Sequence, residues 1–498
     1  MCASLGPMVA AMARPLGVRT RFAAVSWAVA LLGLSTACFS SSPADTGTDA
    51  STGGADAATE TGSPSGNDAS TALDAAPVPT TAAATIIVSG DAPVTAATTS
   101  YGQNYWCWVP SYGDQVSRVQ SGATAMKLNV LRAGGYNNDA NSPDPFSDAQ
   151  VDAFVAYARA IGAEPILQVP ILADTTGVRA TAQTASAMVT YANVTKGYGI
   201  KYWEIGNEPD LYSDSSSLPP GYTAASYCND FGSFADAMKA VDPTIQILGP
   251  ELSYKYVPGN DWLTPFLTSC GAKVDIVSVH RYPFDAASST IANAMNDGTA
   301  FQATLASLRA IMTSTGQGSK PLAITEANFS YQGDPTLQTG TAPVGSFYAG
   351  LWVAEAASIA LEQNLWTMGF WSLDESYYTG FFTSDTFAPR PAAYAYDLVS
   401  NHFGPTILHA TTVPTGLSAH GSRDDTARQT VVLLINRTAS AASPVLGFAG
   451  LSVTLSNLAI TLPPYSLLLL QIPDDDSAPT TLLYTKAMAD AGLAPQAQ

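Results

Sequence analysis

The chain has 498 residues, of which 46% are hydrophobic and only 12% charged, with a net charge of −19. That acidity disfavours nucleic acid and anionic membrane surfaces as partners, because both attract basic patches, and it leaves uncharged substrates such as glycans open. The length suffices for two or three domains around a large core.

In chain order, Arg14, Arg19 and Arg21 precede an apolar run over 22–34 and then Ser35-Thr36-Ala37-Cys38. Basic, then apolar, then small is the order of a secretory signal, and the run is shorter than the roughly 20 residues of a spanning helix. Residues 1–38 resemble a bacterial lipoprotein signal, which implies a lipid on Cys38 and a cell-surface location. Ordinary cleavage and free secretion is the alternative. Residues 39–83, rich in Ser, Ala, Thr, Gly, Asp and Pro, predict a disordered tether, since they cannot offset their ordering entropy. A strand over 85–89, within 84–99, is expected to join a later β domain.

Five cysteines are present, with Cys2 and Cys38 in the signal and Cys107, Cys228 and Cys270 beyond it. Three cannot all pair, and Cys228 with Cys270 is the expected disulfide. Their spacings and the four histidines fit no zinc motif, so no metal is expected.

From 100 to 400, apolar strand-like runs fall at 101–108, 127–133, 164–169, 201–205, 246–249, 274–280, 321–325 and 367–373. Segments of helical period lie between them, among them 148–161, 184–198, 225–241, 301–315 and 346–363. Such alternation implies parallel strands, and eight of them predict an α/β architecture, a (β/α)8 barrel. The rival, a doubly wound open sheet, usually shows a Gly-rich phosphate turn after its first strand, which is missing here.

In a barrel, chemistry collects at the C-terminal strand ends. Strand two ends at Arg132, before Gly134-Gly135. Strand four, Tyr202-Trp-Glu-Ile205, is closed by Gly206 and followed by Asn207-Glu208-Pro209. Strand five ends at Glu251, strand six at His280-Arg281-Tyr282, strand seven at Glu326 and strand eight at Trp371. Carboxylates therefore face one cavity from strands four and seven, which is what cleavage of a glycosidic bond requires. Glu251 reads as a residue of the rim or of the layer behind the site. Arg281 points away from its neighbours if the strand continues, so an ion pair and a substrate contact are equal readings. Tyr105, Trp106 and Trp108 offer aromatic faces to a sugar, with at least one of them in the core.

Trp203-Glu-Ile-Gly-Asn-Glu-Pro-Asp210 and Leu322-Ala-Ile-Thr-Glu-Ala-Asn328 resemble the acid/base and nucleophile strands of clan A glycoside hydrolases. The resemblance implies a (β/α)8 barrel that retains anomeric configuration, with Glu208 as acid/base and Glu326 as nucleophile. It places Asn207 on the sugar 2-hydroxyl, Arg132 and Tyr282 on the nucleophile, His280 beside them, and Trp371 as a sugar platform. Strand three ends in Gln168-Val-Pro170 where some families of the clan have a His, which sets the chain apart from a plain cellulase. Val279-His-Arg-Tyr-Pro283, Thr325-Glu-Ala-Asn328 and Asn207-Glu-Pro-Asp-Leu-Tyr212 look most like family 79, the β-glucuronidase and heparanase family, with families 39 and 44 as near alternatives. A uronic acid would need a cation, for which Lys255, Arg281 and Arg390 are the candidates.

After Arg390-Pro391 the helical period stops. Runs at 413–420, 430–436, 446–455, 458–462 and 467–472 predict a small β-sandwich over 401–473, and 474–498 reads as an unpacked polar tail. The expectation is a secreted or surface-tethered, monomeric, retaining β-glycosidase that needs no cofactor and takes a glycan substrate. Alternatives of another class are a carbohydrate-binding lipoprotein on an inactive barrel and an adhesive surface protein.

Overall fold

The computed structural model describes residues 78–79, 82–105, 110–140, 147–173, 176–213, 217–257, 259–333, 339–374, 378–475 and 477–498. The signal with Cys38, most of the expected tether, and Trp106, Cys107 and Trp108 lie outside the described residues. Among the described residues, no helix is long and apolar enough to cross a membrane.

Eight parallel strands close into a barrel. In chain order they are Tyr101–Tyr105, Val130–Ala133, Glu164–Val169, Tyr202–Ile205, Gln246–Leu252, Ile276–Arg281, Leu322–Ala327 and Met368–Phe370. Because side chains alternate along a strand, every second residue points inward. Val130, Ile166, Tyr202, Leu248, Ile276 and Ala323 form a separate apolar cluster with Trp366 packed against it. One step further along the strands the same inward positions turn polar, with Asn104, Arg132, Gln168, Glu204, Ser278 and Thr325 all buried. The C-terminal half of the barrel thus holds a buried polar layer, and the site sits on it.

Several flanking helices start on Ser or Thr caps, whose hydroxyls satisfy an open backbone N–H. Ser147, Thr181, Thr223, Thr290 and Ser346 do this for helices Asp148–Ala160, Ala182–Val189, Ala224–Val241, Ile291–Ser314 and Phe347–Glu362. The segment expected at 184–198 is α-helical only to Val189 and continues as a π-helix, Thr190–Thr195. The helix expected at 301–315 begins ten residues earlier, at Ile291, because Asn293, Asn296, Asp297 and Gly298 dilute the apolar period of its first turns. Cys228 and Cys270 form a disulfide between helices Ala224–Val241 and Leu263–Cys270.

The all-β part is one hydrogen-bonded ribbon of ten strands. Ile86–Thr95, from before the barrel, pairs with Thr406–Thr411 and Val445–Ala449. Leu417–Asp424, Gln429–Asn436 and Ser466–Pro473 follow in register, and the latter two are buried on both faces. Pairing begins as early as Val78–Pro79, within the expected tether. The reading of 474–498 as an unpacked tail is corrected. Thr480–Thr485 pairs with Ser466–Pro473, and Tyr484 is buried against Phe347 and Tyr394 of the barrel helices. Three apolar residues, Leu482-Leu-Tyr484, supply enough buried area for one more strand, although their flanks are polar.

Candidate functional site

Arg132 is the hub of the polar layer. Its Nη1 donates to Glu326 Oε1 at 2.7 Å and to Asn104 Oδ1 at 2.9 Å. Its Nη2 donates to Asn207 Oδ1 at 3.1 Å and to Gln168 Oε1 at 3.3 Å, and its Nε donates to Glu204. A guanidinium has five N–H donors in a fixed plane, and all five are used here. One buried side chain therefore ties together the ends of barrel strands one, two, three, four and seven.

Strand four stops at Gly206, where φ is 78° and a Cβ would come within 2.6 Å of Ile171. Glu208 then takes φ 47°, a left-handed backbone uncommon for a residue with a side chain. Its amide donates to the carbonyl of Glu251 at 3.0 Å, and Glu251 is itself left-handed, with φ 55°. Two strained strand ends thus hold each other. Above them, His280 Nδ1 lies 2.9 Å from Glu208 Oε1 and 3.6 Å from Glu326 Oε2. On its other side, His280 Nε2 lies 3.1 Å from Glu251 Oε2. Tyr282 donates its hydroxyl to Glu326 Oε2 at 2.9 Å. Glu208, His280 and Glu326 each place an oxygen or nitrogen within 4.8 Å of the others.

The electrostatics follow from burial and neighbours. Burial, reinforced by the charges of Glu326 and Asp210, raises the Glu208 carboxyl above its ordinary value against the opposing pull of His280. Burial opposes a charge on His280, but Glu326 and the hydrogen bonds to Glu208 and Glu251 override it and push its pKa up to about 10. Burial likewise disfavours a charged Glu251, yet the His280 hydrogen bond and charge hold it below the usual carboxylate range. Glu204, desolvated and near Glu251, is raised to about 8 in spite of Arg132.

Buried carboxylates also pin the loops. Asp139 accepts the backbone N–H groups of Ile171, Leu172 (2.8 Å) and Asn207 (2.6 Å), so it fixes the residue before Glu208. Burial pushes Asp139 up to about 7 even with these three donors. Asp210 accepts the N–H groups of Ser253, Tyr254 and Lys255 at 2.9, 3.0 and 2.9 Å, which locks the segment after Glu251. Tyr136 and Tyr212 stack at 4.7 Å, and the Trp371 ring lies over Gly135, where any Cβ would meet it at 2.7 Å.

The structure therefore gathers Arg132, Asn207, Glu208, His280, Tyr282 and Glu326 into one cluster, with Trp371 against Gly135 of the strand-two turn. Trp106 lies outside the described residues. Tyr105 is core, packed on Phe154 and Tyr157. Arg281 is bonded to both carboxylate oxygens of Asp297 and covers Phe301, so its role is structural. Glu251 is fully buried behind His280, not at the rim. Sequence reasoning missed Asn104, Asp139, Glu204 and Asp210. For Asp210 a signal existed, since it ends the Asn-Glu-Pro-Asp run.

Residues 190–368 match the model of glycosyl hydrolases family 39. Similar solved structures include the bifunctional glucanase-xylanase CelM2 from a metagenome library, at 16% identity and TM-score 0.61, covering 78% of this chain and 98% of that one. The family 51 α-L-arabinofuranosidase AbfB from Bifidobacterium longum is similar at 16% identity and TM-score 0.62, over 83% and 95% of the two chains. A family 44 xyloglucanase from Paenibacillus polymyxa shows 14% identity and TM-score 0.59, over 78% and 99%. No curated protein matches the chain. The match falls on family 39, one of the two alternatives expected beside family 79, and gives family 79 no specific support. The matched stretch and the closed eight-stranded barrel make this chain a retaining glycoside hydrolase that is similar to family 39 over 190–368.

Proposed function

We propose that the protein hydrolyses β-O-glycosidic bonds of a neutral glycan by double displacement, with Glu326 as nucleophile and Glu208 as acid/base. The carrying observation is that oxygens of these two carboxyls, from strands four and seven, lie within 4.8 Å of each other. So close an approach of one oxygen from each carboxyl is in keeping with the roughly 5–5.5 Å between the carboxyl groups of retaining enzymes. Glu208, whose carboxyl burial biases toward the protonated form, gives its proton to the leaving oxygen while the Glu326 carboxylate attacks the anomeric carbon. Arg132 and Tyr282 orient that carboxylate through one donor on each oxygen. Once Glu326 is esterified its charge is gone, so Glu208 loses an anionic neighbour and becomes the base that activates water. Asn207, its Oδ1 held by Arg132, presents its NH2 group to the sugar 2-hydroxyl, and Trp371 offers a stacking face.

Support for a neutral sugar over a uronic acid comes from the cations. Arg281 is paired with Asp297, Arg390 donates to the Gly380 carbonyl, and Lys255 donates to Ser213 while lying over Trp262. The similar structures above are named as a glucanase-xylanase, an α-L-arabinofuranosidase and a xyloglucanase, none of them as a glucuronidase. We also propose export with lipidation at Cys38, for which Cys38→Ala should move the protein from the membrane to the soluble fraction.

The test is a panel of aryl β-glycosides (xyloside, glucoside, galactoside, glucuronide), an aryl α-L-arabinofuranoside, and soluble β-glucan and xylan. Release from neutral β-glycosides with the β-anomer formed first supports the reading. Release from the glucuronide alone returns the family 79 reading, and an α-anomer formed first overturns the mechanism. A 2-deoxy-2-fluoro glycoside should add one sugar mass to a peptide containing Glu326.

A further inference from the structure

Glu251 has no task in the double displacement, yet it is fully buried and its carboxylate is surrounded by donors. Its Oε2 is met by His280 Nε2 at 3.1 Å and by the Thr325 hydroxyl, and its Oε1 by the Ser278 hydroxyl. The opposite nitrogen of the same imidazole reaches Glu208 Oε1 at 2.9 Å. The two glutamates are joined a second time through the backbone, by the Glu208 N–H on the Glu251 carbonyl. A carboxylate, an imidazole and the proposed acid therefore form one line, and a backbone bond fixes its length.

We propose that Glu251 is a positioning residue for the acid/base: it serves as the counter-ion of His280, so that Glu208 can hold its proton instead of pairing with the imidazolium. This rests on the reading of Glu208 as the acid. The physical problem is local. An imidazolium at hydrogen-bond distance favours the ionised form of a carboxyl, and an acid catalyst must start neutral. A second carboxylate on the far nitrogen takes up the positive charge. The other groups facing this line are Glu326 and Tyr282 from strands seven and six, Arg132 and Glu204 from strands two and four, and Asp210, Tyr212 and Tyr256 from the loops. Glu326 stands 3.6 Å and Glu208 2.9 Å from His280 Nδ1, so neutralising Glu251 leaves the imidazolium to the carboxyls on its Nδ1 side. Glu208 then becomes the carboxyl that compensates it.

The experiment compares wild type with Glu251→Gln on aryl β-glycosides of good (2,4-dinitrophenyl) and poor (phenyl) leaving groups across pH. A good leaving group needs little proton assistance. The expected result is a loss of about tenfold or more on the phenyl glycoside at neutral pH, about twofold or less on the dinitrophenyl glycoside, and an alkaline limb of kcat/KM moved down by about one pH unit. Equal loss on both substrates, or an alkaline limb that stays or moves upward, overturns the proposal. A second measurement needs no variant: 15N NMR of the wild-type imidazoles at neutral pH should show His280 as imidazolium, and a neutral His280 overturns the proposal independently. If wild type cleaves no glycoside, the functional reading fails, while the NMR arm still decides whether Glu251 and His280 form an ion pair.

Discussion

Two buried histidines in this molecule sit between two glutamates each, in nearly the same arrangement. At the barrel mouth, His280 has Glu208 at 2.9 Å and Glu251 at 3.1 Å. At the seam between the barrel and the sheet, His420 has Glu362 at 2.7 Å and Glu355 at 3.2 Å. Both are pushed to about 10, against burial, chiefly by a neighbouring carboxylate: Glu326 for His280 and Glu362 for His420. The seam trio borders a cavity of about 1020 Å³, with Glu355, Glu362, His420 and Arg437 in its lining. What separates the two is where their carboxylates sit. Glu355 and Glu362 project from one helix at i and i+7 and meet a strand of the sheet, so the trio fastens two parts of the fold. Glu208 and Glu251 end two neighbouring strands in left-handed backbone, and a third carboxylate, Glu326, faces them with Arg132 and Tyr282 on its two oxygens. An imidazole between two acids is thus a fastener by default. On the proposed reading, strand-end placement and the opposing Glu326 are what turn it into chemistry.

The contrast is tested most severely by removing one carboxylate from each region. Glu326→Gln should lower kcat by roughly 10⁴-fold or more, as loss of a nucleophile does, with the fold intact by circular dichroism. Glu362→Gln should leave kcat within about twofold while destabilising the fold by about 2 kcal/mol, because His420 keeps Glu355 but loses its shorter charge-assisted hydrogen bond. Comparable loss of kcat in both would show that the seam communicates with the site. The histidines give the next contrast. His280→Gln should cost about 10²-fold to 10³-fold in kcat/KM, the scale of acid–base assistance. His420→Gln should lower Tm and leave the kcat of the folded enzyme near wild type. An inactive, fully folded His420→Gln would refute the division drawn above.

The barrel was legible because its strands carry two signals at once, apolar runs and polar residues at their ends. Glu164–Val169 falls on the expected 164–169, and Arg132, Asn207, Glu208, His280 and Glu326 reveal themselves by standing where strands stop. Asp139 carried no such mark. It lies in Tyr136-Asn-Asn-Asp-Ala140, which reads as a polar loop, and only the fold brings it beneath Asn207. Glu251 was visible at its strand end but its depth was not, since burial depends on what the neighbouring strands place above it. Arg281 was undecided because its partner, Asp297, comes from a helix sixteen residues on. The strand Thr480–Thr485 escapes sequence reading for a different reason: it is too short to outweigh polar flanks until Ser466–Pro473 offers it an open edge.

The smallest effect expected concerns pH and separates the regions by stability alone. His420 titrates at about 10 when folded and near 6.5 when unfolded, so the stability it contributes is fully present below about 6.5 and is lost as pH rises through about 10. Glu355 acts with the opposite sign. Burial opposes its charge, but His420 and Arg437 hold it below its ordinary value, so its contribution is lost as pH falls through its folded value. The seam should therefore hold best between these limits. His420→Gln should flatten the alkaline decline of Tm by removing a slope of at most about 1.4 kcal/mol per pH unit. Glu355→Gln should flatten the acid limb instead. His280→Gln removes a proton-binding group from the same alkaline window, so it too should flatten that limb, but only there should activity fall as well. Tm curves for His420→Gln that run parallel to wild type from pH 7 to 10 would mean that the seam histidine is uncharged, and the likeness between the two trios would end at geometry.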